Sequence, residues 1–220
     1  MSKITASLFV CIVLMGSCTK TNSTFTGSGV LYANGCVGAT STSLTVNGAN
    51  LPNAAAIPYL GSSGYQNAAS GTVTISGVLN GVGSLGSLTA TLNANQNYSV
   101  FDCGSVLADS LVLVTDTFPA STGGYAYARL VNVSSDTSAT SITCAVGNTL
   151  VGSNVAYGAA SGFVQVTPGS YSITAFNVNE PANVATLSGV QLNAGQICTL
   201  MYSGNSNQLV GFKLTIINNN

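Results

Sequence analysis

The side chains with the clearest chemistry in this chain are its cysteines. Residues 1–18 read MSKITASLFVCIVLMGSC. Lys3 gives a minimal positive start, and Ile4 to Met15 is one apolar run. A bilayer needs about 20 such residues, so the run is too short to span and suits an export signal. It ends in Met15-Gly16-Ser17-Cys18, a bulky apolar residue, two small ones and a cysteine. That is the pattern of a bacterial lipobox. A diacylglyceryl group joins the Cys18 thiol, and the signal peptide, residues 1–17, is cut off in front of it. Each buried CH₂ of the acyl chains contributes about 0.8 kcal/mol of anchoring. The tract Thr21 to Gly29 is rich in Ser, Thr, Asn and Gly, and residues 18–27 read as a lipidated tether. The expected location is the outer membrane, on its periplasmic or cell-surface face.

Cys11 lies within the signal, which leaves Cys36, Cys103, Cys144 and Cys198. An even number in an exported chain points to disulfides. Three connectivities are possible. Each half of the chain holds one early and one late cysteine, so the expected bridges are Cys36–Cys103 and Cys144–Cys198. A metal site is the rival reading, and with no His and no CxxC in the chain none is expected.

Other motifs offer less. Gly81 to Gly86 fits GxGxxG, but a dinucleotide site needs a helix after it. The residues that follow, Ser87-Leu88-Thr89-Ala90-Thr91-Leu92, alternate as a strand, so the glycines read as a hairpin loop. There is no His and no GxSxG, and Lys20 and Lys213 sit in the tether and the tail. The acids are Asp102, Asp109, Asp116, Asp136 and Glu180. Glycoside hydrolysis needs two facing carboxyls. Asp102 and Asp109 are close in sequence and read as strand-edge solubility. The chain is therefore expected to be neither an enzyme nor a cofactor binder. Tyr59, Tyr65, Tyr157 and Phe163 are candidates for ligand contact by sugar stacking, against a plainer reading as core. Asp109-Ser110-Leu111 fits a short envelope O-glycosylation sequon, with Ser110 as acceptor.

Composition narrows the partners. Of 220 residues, 4 are Lys or Arg and 5 are Asp or Glu, and charged residues make 4% of the chain, against about 25% in a typical soluble domain. Four cations cannot track a phosphate backbone, so nucleic acid is excluded. The polar surface must come from 28 Ser, 24 Thr, 22 Asn and 25 Gly. So little charge leaves self-association or an envelope glycan as candidate partners, besides the membrane reached through the lipid.

The elements that must carry these residues come as two copies of one pattern. Tyr59 to Tyr65 matches Tyr157 to Phe163, and Leu44-Thr45-Val46 matches Ile142-Thr143-Cys144. Val73-Thr74-Ile75 matches Tyr171-Ser172-Ile173, and Asn93 to Gln96 matches Asn193 to Gln196. The order is kept and the offset stays near 98 residues, which predicts a tandem duplication. The repeats run over 28–119 and 125–220, with a Gly-rich linker at 120–124. Each is long enough to bury a core of its own. Ser170 to Phe176 alternates apolar and polar residues with period two, as a half-buried strand does. The second copy parses into strands at about 128–133, 141–146, 149–155, 163–166, 170–177, 185–192 and 197–202. A last run, Leu209 to Ile217, extends the final strand or adds another. Short strands at this spacing predict an all-β fold of two tandem immunoglobulin-like β-sandwiches.

Ala128-Arg129-Leu130-Val131-Asn132-Val133, Asn154 to Gly158, Val166 to Tyr171, Ala185-Thr186-Leu187 and Asn193-Ala194-Gly195 together resemble the bacterial envelope family known as domain of unknown function 4397. The resemblance covers 128–202 well. It implies an immunoglobulin-like sandwich on an exported protein, and no established activity. The family usually carries an acid in the second strand, where this chain has Thr140-Ser141-Ile142. The resulting expectation is a lipid-anchored envelope protein with a structural or adhesive role. Its alternative is a glycan-binding surface lipoprotein.

Overall fold

The computed structural model describes residues 26–80, 83–120, 123–134, 136, 141–180, 182, 184–206 and 211–220. The signal peptide, Cys18 and most of the tether lie outside the described residues.

Among the described residues the regular elements are all strands. The first repeat contains β1 (Ser28–Asn34), β2 (Ser41–Val46), β3 (Ala49–Asn50), β4 (Ile57–Pro58), β5 (Ser62–Ala68), β6 (Gly71–Leu79), β7 (Gly83–Leu92), β8 (Asn97–Ser105) and β9 (Ala108–Asp116). The second contains β10 (Ala126–Asn132), β11 (Ile142–Val146), β12 (Thr149–Val155), β13 (Val164–Val166), β14 (Gly169–Asn177), β15 (Val184–Leu192), β16 (Ile197–Ser203) and β17 (Lys213–Asn218). The sequence-based strands of the second repeat fall on these elements, and the last apolar run adds a separate strand, β17. Gly81 and Val82 of the GxGxxG stretch, expected as a hairpin loop, lie outside the described residues, and Gly83 to Gly86 belong to β7, so a strand and not a helix follows.

Each repeat is a sandwich of two sheets. In the first, β5-β1-β8-β9 faces β3-β2-β6-β7; in the second, β13-β10-β16-β17 faces β12-β11-β14-β15. β1 pairs with β8 in parallel, and β10 pairs with β16 in parallel, while the other pairings are antiparallel. The duplication extends to single hydrogen bonds. Buried Asn34 donates from Nδ2 to the Ile57 carbonyl at 3.0 Å and accepts from Cys36 N–H. Buried Asn132, 98 positions on, donates to the Val155 carbonyl at 3.1 Å and accepts from Ser134 N–H. Ser63 Oγ accepts Tyr32 N–H as Ser161 Oγ accepts Leu130 N–H. These side chains satisfy backbone groups where the edge pairing breaks, a need common to both copies.

Alternation sorts the outer sheets. On β14, Ile173 and Ala175 are fully buried in the second sandwich, with Tyr171 packed against it. On β6, Val73 and Ile75 do the same in the first. Their neighbours Thr72, Thr74, Ser172 and Thr174 form neutral outer walls. The inner sheets do not alternate. Every residue of β1, β10 and β16 is buried, and so is nearly all of β8. The reason is a third core. Leu31, Ala33, Phe101 and Cys103 of the first repeat pack against Val131, Val133, Met201 and Ile217 of the second. The sheets thus stack in four layers: each sandwich keeps a core of its own, and the repeats share the third between them.

Candidate functional site

The shared layer holds a closed polar ring as well as apolar side chains. Arg129 projects from β10 into the interface and is 2% exposed. Its Nη2 lies 2.6 Å from Asp116 Oδ1 at the end of β9. Nε donates to Thr199 Oγ1 at 2.9 Å, and Nη2 donates to Ser99 Oγ at 3.1 Å. Ser99 passes its own proton to Asp116 Oδ2 at 2.8 Å. Thr199 donates to Asn219 Oδ1 at 2.7 Å, Asn219 Nδ2 donates to Tyr65 OH at 3.0 Å, and Tyr65 donates to Asp116 Oδ2 at 2.5 Å. Burial and the Asp116 carboxylate push the Tyr65 hydroxyl well above its usual range. The Arg129 guanidinium also lies 4.6 Å from the Phe163 ring centre, a cation–π contact. Phe118 bridges Tyr65 and Phe163, with ring centres 6.0 and 5.8 Å away.

The four recurring aromatics therefore all touch the joint between the repeats, but only Tyr65 and Phe163 come together, through Phe118. Tyr65 and Phe163 close the polar ring. Tyr59 OH is 3.0 Å from Ser203 Oγ, which in turn donates to the Gly35 carbonyl. Tyr157 mirrors it, with its hydroxyl 3.1 Å from Ser110 Oγ of the first repeat. Of the four, Tyr157 keeps the most open ring, at 43% exposure. Ser110, the sequon serine, is half-buried against it.

The cysteines differ from the expected pattern. Cys36, Cys103, Cys144 and Cys198 are buried free thiols, and neither the Cys36–Cys103 nor the Cys144–Cys198 bridge is formed. Cys103 turns into the shared core beside Phe101 and Met201, while Cys36, in the loop after β1, faces Asp109. Cys144 and Cys198 lie together in the second sandwich core and pack as small apolar side chains. Burial pushes each of these last two thiols up to about 12, so neither is a ready nucleophile.

Asp102 and Asp109 also overturn an expectation, since neither is a solubilising edge residue. Asp102 is fully buried, and its Oδ2 accepts the Tyr32 hydroxyl at 2.8 Å. Thr42 Oγ1 lies 2.5 Å from that hydroxyl. The signal was present in the sequence. Asp102 is in phase with Tyr98 and Val100, and Asp109 with Leu111 and Leu113, all of which pack on the first core.

The strand directions give the body two distinct ends. β1 and β10 begin, and β9 and β17 finish, at one end, so the tether joins there. The β8–β9 turn and the loops after β1, β10 and β14 gather at the other. Seven large apolar side chains are exposed among the described residues. Five of them lie at this far end: Val106, Leu107, Tyr157, Val178 and Val184, with Leu107 exposed by 92%. A shallow hollow lies elsewhere, near the tether end, lined by Val46, Leu51, Pro52 and Ala68.

A family model described as Domain of unknown function (DUF4397) matches residues 28–143 and again 126–220. No curated protein matches the chain. Among solved structures it is similar to a family CBM26 carbohydrate-binding module of Eubacterium rectale Amy13K, solved with maltoheptaose. That likeness has 11% identity over 86% of this chain and 96% of the other, with a TM-score of 0.28. It is also similar to a candidate cell adhesion protein from Bacteroides ovatus ATCC 8483, at 10% identity over 88% and 96% of the two chains, with a TM-score of 0.24. At such scores neither likeness carries an argument about function.

Proposed function

Since the chain belongs to the family described as Domain of unknown function (DUF4397), whose model spans both repeats, we propose that it is a lipid-anchored cell-envelope protein with a non-enzymatic, structural or adhesive role. The observation that carries this reading is the polarity of the body. The tether joins one end, and most of the exposed apolar side chains stand at the other. Between them the outer walls are Ser and Thr. In an anchored molecule the apolar tip faces away from the membrane, where a neighbouring surface would meet it. Single exposed apolar residues are ordinary, but a cluster at one end of a neutral body marks a contact surface.

The acids do not favour catalysis. Asp102 is sealed between sheets, and Asp116 is committed to Arg129. The glycan-binding alternative has fewer rings to stack on, because Tyr65 and Phe163 are spent on the joint between repeats, while Tyr157 keeps an open ring.

Two variants test the two ends. Cys18→Ala is expected to abolish labelling by a palmitate analogue and to move the protein from the membrane to the soluble fraction. Labelling that survives would remove the anchor. Leu107→Ser combined with Val106→Ser should leave anchoring and the melting temperature unchanged, because both side chains face water. Retention of expressing cells on an apolar surface should fall severalfold. Unchanged retention would leave a structural role in place of an adhesive one.

A further inference from the structure

Two neighbouring carboxyls in the first sandwich are short of donors. Asp102 Oδ2 accepts the Tyr32 hydroxyl, but Asp102 Oδ1 and both Asp109 oxygens are shielded from water and make no well-formed hydrogen bond, Asp109 having only weak contacts with the Ser110 N–H and the Cys36 thiol. The opposing sheet roofs them with glycines. A Cβ at Gly77 would stand 3.6 Å from Asp102 Oδ1, and one at Gly86 would stand 3.3 Å from Asp109 Oδ2. The ionisable groups facing the pair are Tyr32 from β1 and Cys36 from the loop after it, while Cys103 from β8 and Tyr157 from the second repeat act on it from the other side of the sheet. β2 offers Thr42, while β6 and β7 present glycine and leucine. Among the described residues no cation stands beside them; Arg129 is committed to Asp116, and Lys213 is on β17. The described residues include no group of three or more metal-ligating side chains. Two adjacent buried carboxyls without a counter-ion cannot both ionise, and a proton between them supplies the missing donor.

We propose that Asp102 and Asp109 hold one proton between them in the folded chain at neutral pH, and that its loss loosens the β8–β9 turn and unmasks the Cys36 thiol. Burial, together with the neighbouring Asp102, holds Asp109 up to about 8, and burial raises Asp102 as well. A folded value above the ordinary carboxyl value of about 3.9 means the folded state binds the extra proton. Stability from this pair is therefore full below about pH 4, declines as the pH rises, and is gone above about pH 8.

The turn is the element free to yield. Asp102 sits in a central strand hydrogen-bonded on both sides, whereas Asp109 is the second residue of β9, beside the exposed Leu107. Gly104 is the natural pivot. Its φ of +94° lies in the left-handed region that favours glycine, and a Cβ there would run into the Ala108 carbonyl. The Cys36 thiol donates weakly to Asp109 and is pushed up by burial and both carboxyls, so the closed form keeps it inert.

The test is iodoacetamide labelling of the intact mature chain across pH, read residue by residue by mass spectrometry, with Cys144 and Cys198 as internal references. Corrected for free-thiol ionisation, Cys36 labelling should rise about tenfold per pH unit between about pH 4 and the pair's titration near pH 8, because opening in that range releases one proton, and level off above it. Asp109→Asn should flatten that rise while leaving the references unchanged. If this variant fails to fold, infrared spectroscopy of the unmodified chain decides. A protonated-carboxyl band should be present at neutral pH and vanish under alkaline conditions. Cys36 labelling that follows a free thiol at every pH, or no such band at neutral pH, would overturn the proposal.

Discussion

Replacing Arg129 by alanine is expected to destabilise the chain by about 3–5 kcal/mol, because it strands the Asp116 carboxylate in a dry interface. Total stabilities of single domains are only about 5–15 kcal/mol, so the effect should be plain in the urea midpoint. The ring also loses the donors to Thr199 and Ser99 and the cation over Phe163. Asp116→Leu combined with Arg129→Met should recover most of the loss, since an apolar pair fills the space without an unpaired charge. The pair should thus show strong coupling in a double-mutant cycle. A midpoint shift equivalent to less than about 1 kcal/mol for Arg129→Ala would mean that the ion pair is solvated and the interface open.

The second large effect concerns the separate repeat. A chain of residues 124–220 is expected not to behave as an independent domain. It would expose Val131, Val133, Met201 and Ile217 together with an unpaired Arg129. Each apolar side chain so uncovered forfeits about 1.5–3 kcal/mol, and the sum approaches the stability of a domain of this size. The expected result is a broad melt, or a dimer in which a second copy covers the bared sheet. A monomer with a sharp melt at the temperature of the intact chain would contradict the shared core.

Much of this fold was legible in the sequence. The 98-residue offset located the duplication, and Ser170 to Phe176 announced a strand by its alternation. The joint was harder to read, for a physical reason. Arg129 and Asp116 lie on different repeats, and nothing in either local pattern says that two sheets will meet face to face. A signal did exist in the central strands. Val30-Leu31-Tyr32-Ala33 and Leu200-Met201-Tyr202 have no polar alternation, which is how a strand buried on both faces reads. Tyr65 and Phe163 recur because both copies flank the same joint. The cysteine count suggested bridges, yet Cys103 and Cys36 face different surroundings, and side-chain direction is not a property of spacing. Asp102 was misjudged by its charge although its strand phase placed it inside.

Calorimetric unfolding of the intact mature chain tests the fusion of the repeats most directly. A shared core with Arg129 and Asp116 joined across it predicts one transition, with the calorimetric enthalpy equal to the van 't Hoff value for the whole chain. Two resolved transitions, each with the enthalpy of one repeat, would contradict it.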